Sequence, residues 1–570
     1  MPGCDARRVT ATPVRDIEPA SPAAPTRRAG AALALLLGFV VLVVLYVVTG
    51  RAVAPNSDGA SLVLEGQTVG HGHLLLQGWA LSLDSFWTSE VPLYALGYLA
   101  AGVDPLLLRL VPAVLAALVV VLGVIIAGDG ARRRATVAGA VTVVALLAFP
   151  TYAFTLYFLR GGSHVGALAC SLLAIYAVRR GRWGPGVMVA VLSLTVGMLG
   201  DLQALAYGTV PIFVAGLVAM RRTRSWRGGT AQSGAAVGAV IVTVAVRVVT
   251  VALGTFTIGS ANPIVRNPAH LLRNADTLVH FAGALLGPST AAFGSGSTPA
   301  ALQAVHVVGL AVAVAGIVVA AVRLVVGLSP VARGRLSPRR LSHAATREEA
   351  PSGDPGWSAA SPSWRLDDVL VIAAVTSAGS YVLLATTADT AYARYLTASI
   401  VFSSILGGRL VAWLWIHTSK LAALRLLASA GLIVTLVFAA GSGYRLSMPA
   451  VPRPAGPLVT WLEAHRLSSG VGAYFSASIT TVESHDRVAV RPVITGPAGR
   501  LVRYERESTA SWYRGHRFDF LVYQPGAPWN DVDERTAAAT WGNPAHTYSV
   551  DGYAVVVWAR PFVVAGGAGP

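Results

Sequence analysis

Lysine is all but missing from this 570-residue chain: Lys420 is the only one, and every other basic residue is arginine. Charge of either sign is scarce. Asp, Glu, Lys and Arg make up 12% of the residues, against about 25% in soluble globular domains, which excludes an ordinary soluble enzyme. Cysteine is nearly absent too, with Cys4 in a polar tail and Cys170 in an apolar segment. A disulfide framework and a Cys-ligated zinc site are therefore both excluded.

Apolar residues are abundant. They form 54% of the chain, and the mean hydropathy is +0.60. That is too apolar for a disordered chain and marks a polytopic membrane protein. Residues 1–28, rich in Pro, Ala and Arg, read as a disordered tail. The run Ala31–Val48 reads as a first span rather than a cleaved signal. Further apolar runs centre near residues 117, 143, 171, 193, 212, 243, 313, 376, 403 and 433, giving about eleven helical spans near the ~20 residues a bilayer requires. The runs around Gly200 and over 276–290 are the weakest and suit re-entrant or interfacial segments.

The net charge of +17 follows from where arginine sits. Arg27 and Arg28 precede the first span, and every second connection after it is basic: Arg132–Arg134, then Arg179, Arg180 and Arg182, then Arg221, Arg222, Arg224 and Arg227. The same holds for Arg333, Arg335, Arg339 and Arg340, and for Lys420 with Arg425. This alternation is the positive-inside pattern. It predicts a cytoplasmic N-terminus and accounts for the basic balance without a nucleic-acid partner. The expected organisation is a tail over 1–28, a transmembrane domain over 29–444 and a soluble extracytoplasmic α/β domain over 445–570. The transmembrane domain contains a long first outer loop (50–104) and a flexible cytoplasmic linker (326–366). In the C-terminal part, helices are expected over Gly456–Arg466 and Asp531–Thr540. Strands are expected over Val488–Val493, Phe518–Tyr523 and Tyr553–Trp558.

Candidate functional residues gather at the outer ends of the spans. The first outer loop carries Asp58, Asp84 and Glu90 within half-apolar stretches containing Trp79, Trp87 and Tyr94, which suit helices lying in the interface plane. Arg160 and His164 join spans three and four, Asp201 follows span five, and Arg394 begins a late span in Tyr392-Ala393-Arg394-Tyr395. Arg109 and Arg247 fall in or near apolar runs. An arginine there either serves a site, because burying it costs at least ~2.5–3.5 kcal/mol, or snorkels to headgroups. His71 and His73 at i, i+2 in a polar loop are a poor metal signal. A divalent metal is possible but nothing indicates one, so no metal or other cofactor is expected.

Taken with this layout, Asn56-Ser57-Asp58-Gly59-Ala60, His73-Leu74-Leu75-Leu76-Gln77-Gly78-Trp79 and Ser85-Phe86-Trp87-Thr88-Ser89-Glu90-Val91-Pro92 carry a family resemblance. The chain resembles the GT-C superfamily of integral-membrane glycosyltransferases, in the protein O-mannosyltransferase and aminoarabinose-transferase-like group. It looks most like actinobacterial membrane proteins of that build. The resemblance implies transfer of a sugar from a polyprenyl-phosphate donor to a cell-envelope glycan, lipid or protein acceptor, at the outer face of a bacterial plasma membrane and in contact with membrane lipids. It also implies that Asp58 is the catalytic base or acceptor-positioning carboxylate, with Asp84 and Glu90 as possible second carboxylates. Arg394, Arg247 and Arg160, with His164 and Asp201, would bind the lipid phosphate, which guanidinium pairs with bidentately. The adjacent Asp-Glu pair common in the mannosyltransferases is absent. Two alternatives stand beside this reading: a transporter or flippase-like protein for a lipid or solute, and a catalytically inactive relative acting in assembly.

Overall fold

The computed structural model describes residues 25–131, 133–259, 268–286, 300–328, 365–383, 390–417, 440–496, 498–527 and 530–565, with the single positions 422 and 425. The tail over 1–24, most of the linker (329–364) and the expected span near residue 433 lie outside the described residues.

A helical bundle carries the apolar runs. Its helices are α1 (Pro25–Gly50), α2 (Ser57–Gly70), α3 (Val91–Ala101), α4 (Leu107–Gly128), α5 (Arg133–Leu147), α6 (Tyr152–Phe158), α7 (Val165–Ala177), α8 (Pro185–Gly200), α9 (Val210–Thr223), α10 (Thr230–Ala252), α11 (Pro268–Leu286), α12 (Ala300–Leu328), α13 (Leu366–Val382) and α14 (Thr397–His417). Among the described residues, five helices are long and apolar enough to cross a membrane, and a sixth span results if α5 and α6 count as one. That pair bends by 96° at Pro150, which cannot continue a helix. Thr151 then caps α6 by accepting the Phe154 N–H at 3.0 Å. Two expected spans are shorter than a bilayer requires: α7 and α8 have 13 and 16 residues, whereas α9 is extended at its start by the contiguous π-helical turn Leu205–Thr209. Polar or glycine positions such as His164, Gly184 and Asp201 bound them.

Three arginine–aspartate pairs gather at one end of the bundle. Arg222 binds Asp368, Arg409 binds Asp367, and Arg179 meets Asp129 at 3.1 Å. They lie at the ends of α4, α7 and α9, at the start of α13 and, for Arg409, within α14, opposite the end that carries the C-terminal part. Pairing lowers the cost of holding ions in an apolar setting.

After residue 455 the chain is strand-rich. Helices α15 (Gly456–Ala464), α16 (Tyr474–Glu483) and α17 (Glu534–Trp541) accompany a six-stranded mixed sheet. In chain order its strands are β3 (Ser469–Ala473), β4 (Ala489–Thr495), β5 (Leu501–Arg503), β7 (Phe518–Tyr523), β8 (His546–Val550) and β9 (Tyr553–Phe562). They lie side by side in the order β5-β4-β3-β7-β9-β8. Strand β3 runs parallel to β4 and β7, and the other neighbours are antiparallel. A second, three-stranded sheet joins the two parts of the protein. Strand β1 (Trp79–Leu81) of the first loop pairs with β2 (Thr257–Ile258) after α10 and with β6 (Ser508–Thr509) of the C-terminal part. Helix α16 packs on α2, and its Ile479 and Val482 belong to the same apolar cluster as the bundle interior. The C-terminal part is therefore fused to the first loop rather than hung from a tether.

Candidate functional site

Asp58 stands in the first turn of α2, where a carboxylate is favoured by the helix dipole. Asn56 caps that helix, its Oδ1 accepting the Gly59 N–H at 3.2 Å, while its Nδ2 donates to Asp58 Oδ2 at 2.7 Å. The other carboxylate oxygen accepts from the Tyr474 hydroxyl at 2.9 Å. Both oxygens are thus held, one by the loop and one by the C-terminal part.

The 160–164 loop lies directly against α2. A Cβ on Gly161 would fall 2.6 Å from the Tyr94 hydroxyl and 3.0 Å from Gly59 Cα, so only glycine permits this approach. Glu90, buried just before α3, holds the same loop from the other side. Its two oxygens accept the Gly166 N–H at 3.3 Å and the Gly162 N–H at 3.4 Å. Burial pushes its carboxyl up to about 7, against the opposing pull of those two N–H groups.

His164 completes the loop in a left-handed conformation, with φ 66°. Its Nδ1 meets Asp201 Oδ2 at 2.8 Å, and both residues are buried. Its ring stacks on Tyr395 with centroids 4.7 Å apart. Burial disfavours the charged ring, but the Asp201 and Asp84 carboxylates outweigh that and raise its pKa above the ordinary value. Asp84 is pushed up to about 6, first by burial and then by Asp201, with His164 and Arg394 opposing. Ligand atoms of Asp84, His164 and Asp201 lie within 4.8 Å of one another, so these three could hold a cation. The Nε2 of His164 is buried without a hydrogen-bond partner. Arg394, on the short 3₁₀ segment before α14, places its guanidinium 5.4 Å from the Tyr395 ring centroid.

These side chains surround one cavity of about 590 Å³, lined by Asp58, Asp84, Phe86, His164, Tyr392 and Arg394 from the bundle side. The C-terminal part supplies Tyr474, Tyr504, Arg506, Glu507 and Asp531. Glu507 is anchored beneath the rim. It accepts the Ser82 N–H at 3.0 Å and adjoins the fully buried Glu65 of α2. Burial and the Glu507 carboxyl hold Glu65 well above the usual carboxylate range. Three lining residues other than glycine, Phe86, His164 and Glu507, have φ between 51° and 66°. Backbone strain of this kind persists only where surrounding contacts over-determine it, and it concentrates at functional sites.

Of the residues singled out from sequence, the structure brings Asp58, Asp84, His164 and Arg394 to the cavity wall. Asp201 and Glu90 are buried directly behind it, where they fix His164 and its loop. Arg160 adjoins Asp58 and Arg394 electrostatically without lining the cavity. Arg247 is not brought to the site: its guanidinium lies over the Phe256 ring, 4.7 Å from the centroid. Sequence reasoning missed Tyr504, Arg506, Glu507 and the Glu65 contact. The cluster Tyr504-Glu505-Arg506-Glu507, in a chain so poor in charge, was the available signal.

The fold and site define a helical membrane protein whose C-terminal part closes a polar, acid- and arginine-lined cavity over one end of the bundle. No family model matches the chain, and no curated protein matches it. Among solved structures it is similar to ArnT from Cupriavidus metallidurans in the apo state, with 14% identity and a TM-score of 0.49 over 93% of this chain and 98% of that one. It is also similar to the same protein bound to undecaprenyl phosphate, with 13% identity and a TM-score of 0.48 over 92% and 98%.

Proposed function

We propose that this protein is a membrane glycosyltransferase that moves a sugar from a polyprenyl-phosphate donor to a cell-envelope acceptor. The work is done at the membrane face that carries the C-terminal part, which we take as the outer face of a bacterial plasma membrane. The observation that carries the reading is the single cavity shared by Asp58, with both carboxylate oxygens held, and Arg394. In this reading the acceptor hydroxyl docks at Asp58, which takes or orients its proton as the oxygen attacks the anomeric carbon. The bond from that carbon to the lipid phosphate breaks in the same displacement. The leaving phosphate carries its own charge, so it needs electrostatic support rather than a strong general acid, and Arg394 supplies this. Arg506, which lines the same cavity, would meet the same phosphate. A transport reading is less well served, because the polar groups collect under a cap at one end of the bundle rather than along its middle.

The test uses the full chain in nanodiscs with a panel of undecaprenyl-phosphate sugars and cell-envelope acceptors. Release of undecaprenyl phosphate that depends on acceptor, and that is lost in Asp58→Asn, is the expected result. If no donor sugar is turned over and undecaprenyl phosphate binds Arg394→Ala as it binds the native chain, the reading fails.

A further inference from the structure

A second cavity, of about 420 Å³, lies where α1 ends and α4 begins, and it shares no lining residue with the first. Three guanidiniums line it: Arg51, immediately after α1, Arg109 in the first turn of α4, and Arg453 on the segment leading to α15. Among the described residues, none of the three forms an ion pair within 4 Å. Two acids share the rim, and Glu483 offsets part of the charge of Arg109 and Arg453. Asp104 accepts the Leu106 N–H at 2.7 Å, and Glu483 accepts the Ala455 N–H at 2.9 Å.

The remainder of the wall is apolar, from Val47, Pro55, Leu106 and Leu108. Helices α1 and α4 are each long and apolar enough to span a bilayer, and they pack against one another. The end of one and the start of the other therefore mark the same membrane boundary, at headgroup level. The positive end of the α4 dipole points into the same place. Three guanidiniums against two carboxylates leave the cavity net positive at that depth, which favours an anion, and guanidinium offers a phosphate two parallel hydrogen bonds. An apolar wall continuing towards the bilayer suits the chains of a lipid better than a free ion.

We propose that this pocket binds the phosphate of an anionic glycerophospholipid from the leaflet on the side of the C-terminal part. The proposal stands independently of glycosyl transfer. Such a lipid would link α1, α4 and the 450–453 segment, which is already tied to α1 by the Val451 N–H donating to the Arg51 carbonyl at 2.8 Å.

The experiment is native mass spectrometry of the delipidated full chain, titrated with phosphatidylglycerol, phosphatidylcholine, undecaprenyl phosphate and inorganic phosphate. We expect phosphatidylglycerol to bind about tenfold more tightly than the zwitterionic lipid, a preference that bidentate arginine contacts readily supply. Arg51→Gln/Arg109→Gln/Arg453→Gln should abolish that preference and leave intact any undecaprenyl phosphate binding that depends on Arg394. Equal binding of the two glycerophospholipids, or an unchanged preference in the triple variant, overturns the proposal. Displacement by inorganic phosphate at the lipid's own working concentration would make the pocket a soluble-anion site and overturn it as well. Should the triple variant fail to fold, Arg51→Gln and Arg453→Gln, at exposed positions, are each expected to weaken the lipid about threefold. No weakening in either would also overturn the proposal.

Discussion

Tyr474 donates its hydroxyl proton to the Asp58 carboxylate across 2.9 Å, although 416 residues separate them in the chain. The acid that follows the first span is thereby oriented by α16, the helix that follows the first strand of the C-terminal sheet. A hydrogen bond to a charged group contributes about 1.5–3 kcal/mol. Tyr474→Phe is accordingly expected to lower sugar transfer about tenfold or more while the chain stays folded. Asp58→Asn, which keeps the shape but removes the base, should cost about 10²–10⁴-fold. Transfer rates and thermal denaturation of the two purified variants check both statements. Transfer by Tyr474→Phe equal to the native rate would detach Tyr474 from the chemistry.

Arg394 should govern the donor lipid. Arg394→Ala is expected to weaken undecaprenyl phosphate binding by about ten- to a hundredfold, and Arg394→Lys to recover part of it, because a lysine keeps the charge but loses the two-pronged geometry. Arg247→Ala should leave binding unchanged, since its guanidinium rests on Phe256 away from the cavity. Affinities measured by native mass spectrometry decide between these outcomes.

The Glu65–Glu507 contact makes stability depend on pH. Both carboxyls are raised, first of all by burial. A carboxyl whose folded pKa lies above its unfolded value adds stability that is fully present below the unfolded value. That stability is lost as pH rises through the folded one. Glu90, pushed up to about 7, and Asp84, up to about 6, act in the same direction. The apparent melting temperature should therefore be higher near pH 5 than near pH 8, all else equal. Glu65→Gln should flatten part of that slope, because an amide can donate to Glu507 at any pH. An unchanged slope in Glu65→Gln would remove this pair as a contributor.

Gly161→Ala is a steric test of the loop against α2. The added carbon would stand 2.6 Å from the Tyr94 hydroxyl and 3.0 Å from Gly59 Cα, so backbone must move. A loss of stability of about 1–3 kcal/mol is expected, the range for overpacked sites, together with reduced transfer because His164 rides on the same loop. Alanine at Gly283, where no atom lies within 4 Å, serves as the control and should do neither.

Orientation is open to direct labelling. The arginine alternation predicts that position 350 is cytoplasmic and that position 500 is outside. With Cys4 and Cys170 replaced, a membrane-impermeant thiol reagent applied to intact cells should modify a cysteine at 500 and spare one at 350. Modification of both would reverse the membrane map.

What the sequence determined by itself was local. An apolar run writes a helix without help from distant residues, and helices occur at each described centre near 117, 143, 171, 193, 212, 243, 313, 376 and 403. Alternating or β-branched runs likewise placed Phe518–Tyr523, and the expected helix near 531–540 appears as Glu534–Trp541, capped by Asp533. The glycine-bearing strand Ser469–Ala473 and the helix Tyr474–Glu483 that follows it were not legible. Their sequences are weak strand and helix formers, ordered by neighbouring strands and by α2. The site divides the same way. Asp58 was marked by its place just after a span, but Arg394 and Arg247 look alike in sequence, each an arginine at an apolar border. Only packing separates them, setting one in a cavity and the other over a phenylalanine ring. Tyr474, the distant partner of Asp58, and Glu507, the neighbour of Glu65, lie more than 400 residues onward. A contact of that separation leaves no periodic trace in the chain, because it exists only once the C-terminal sheet region has closed over the first loop.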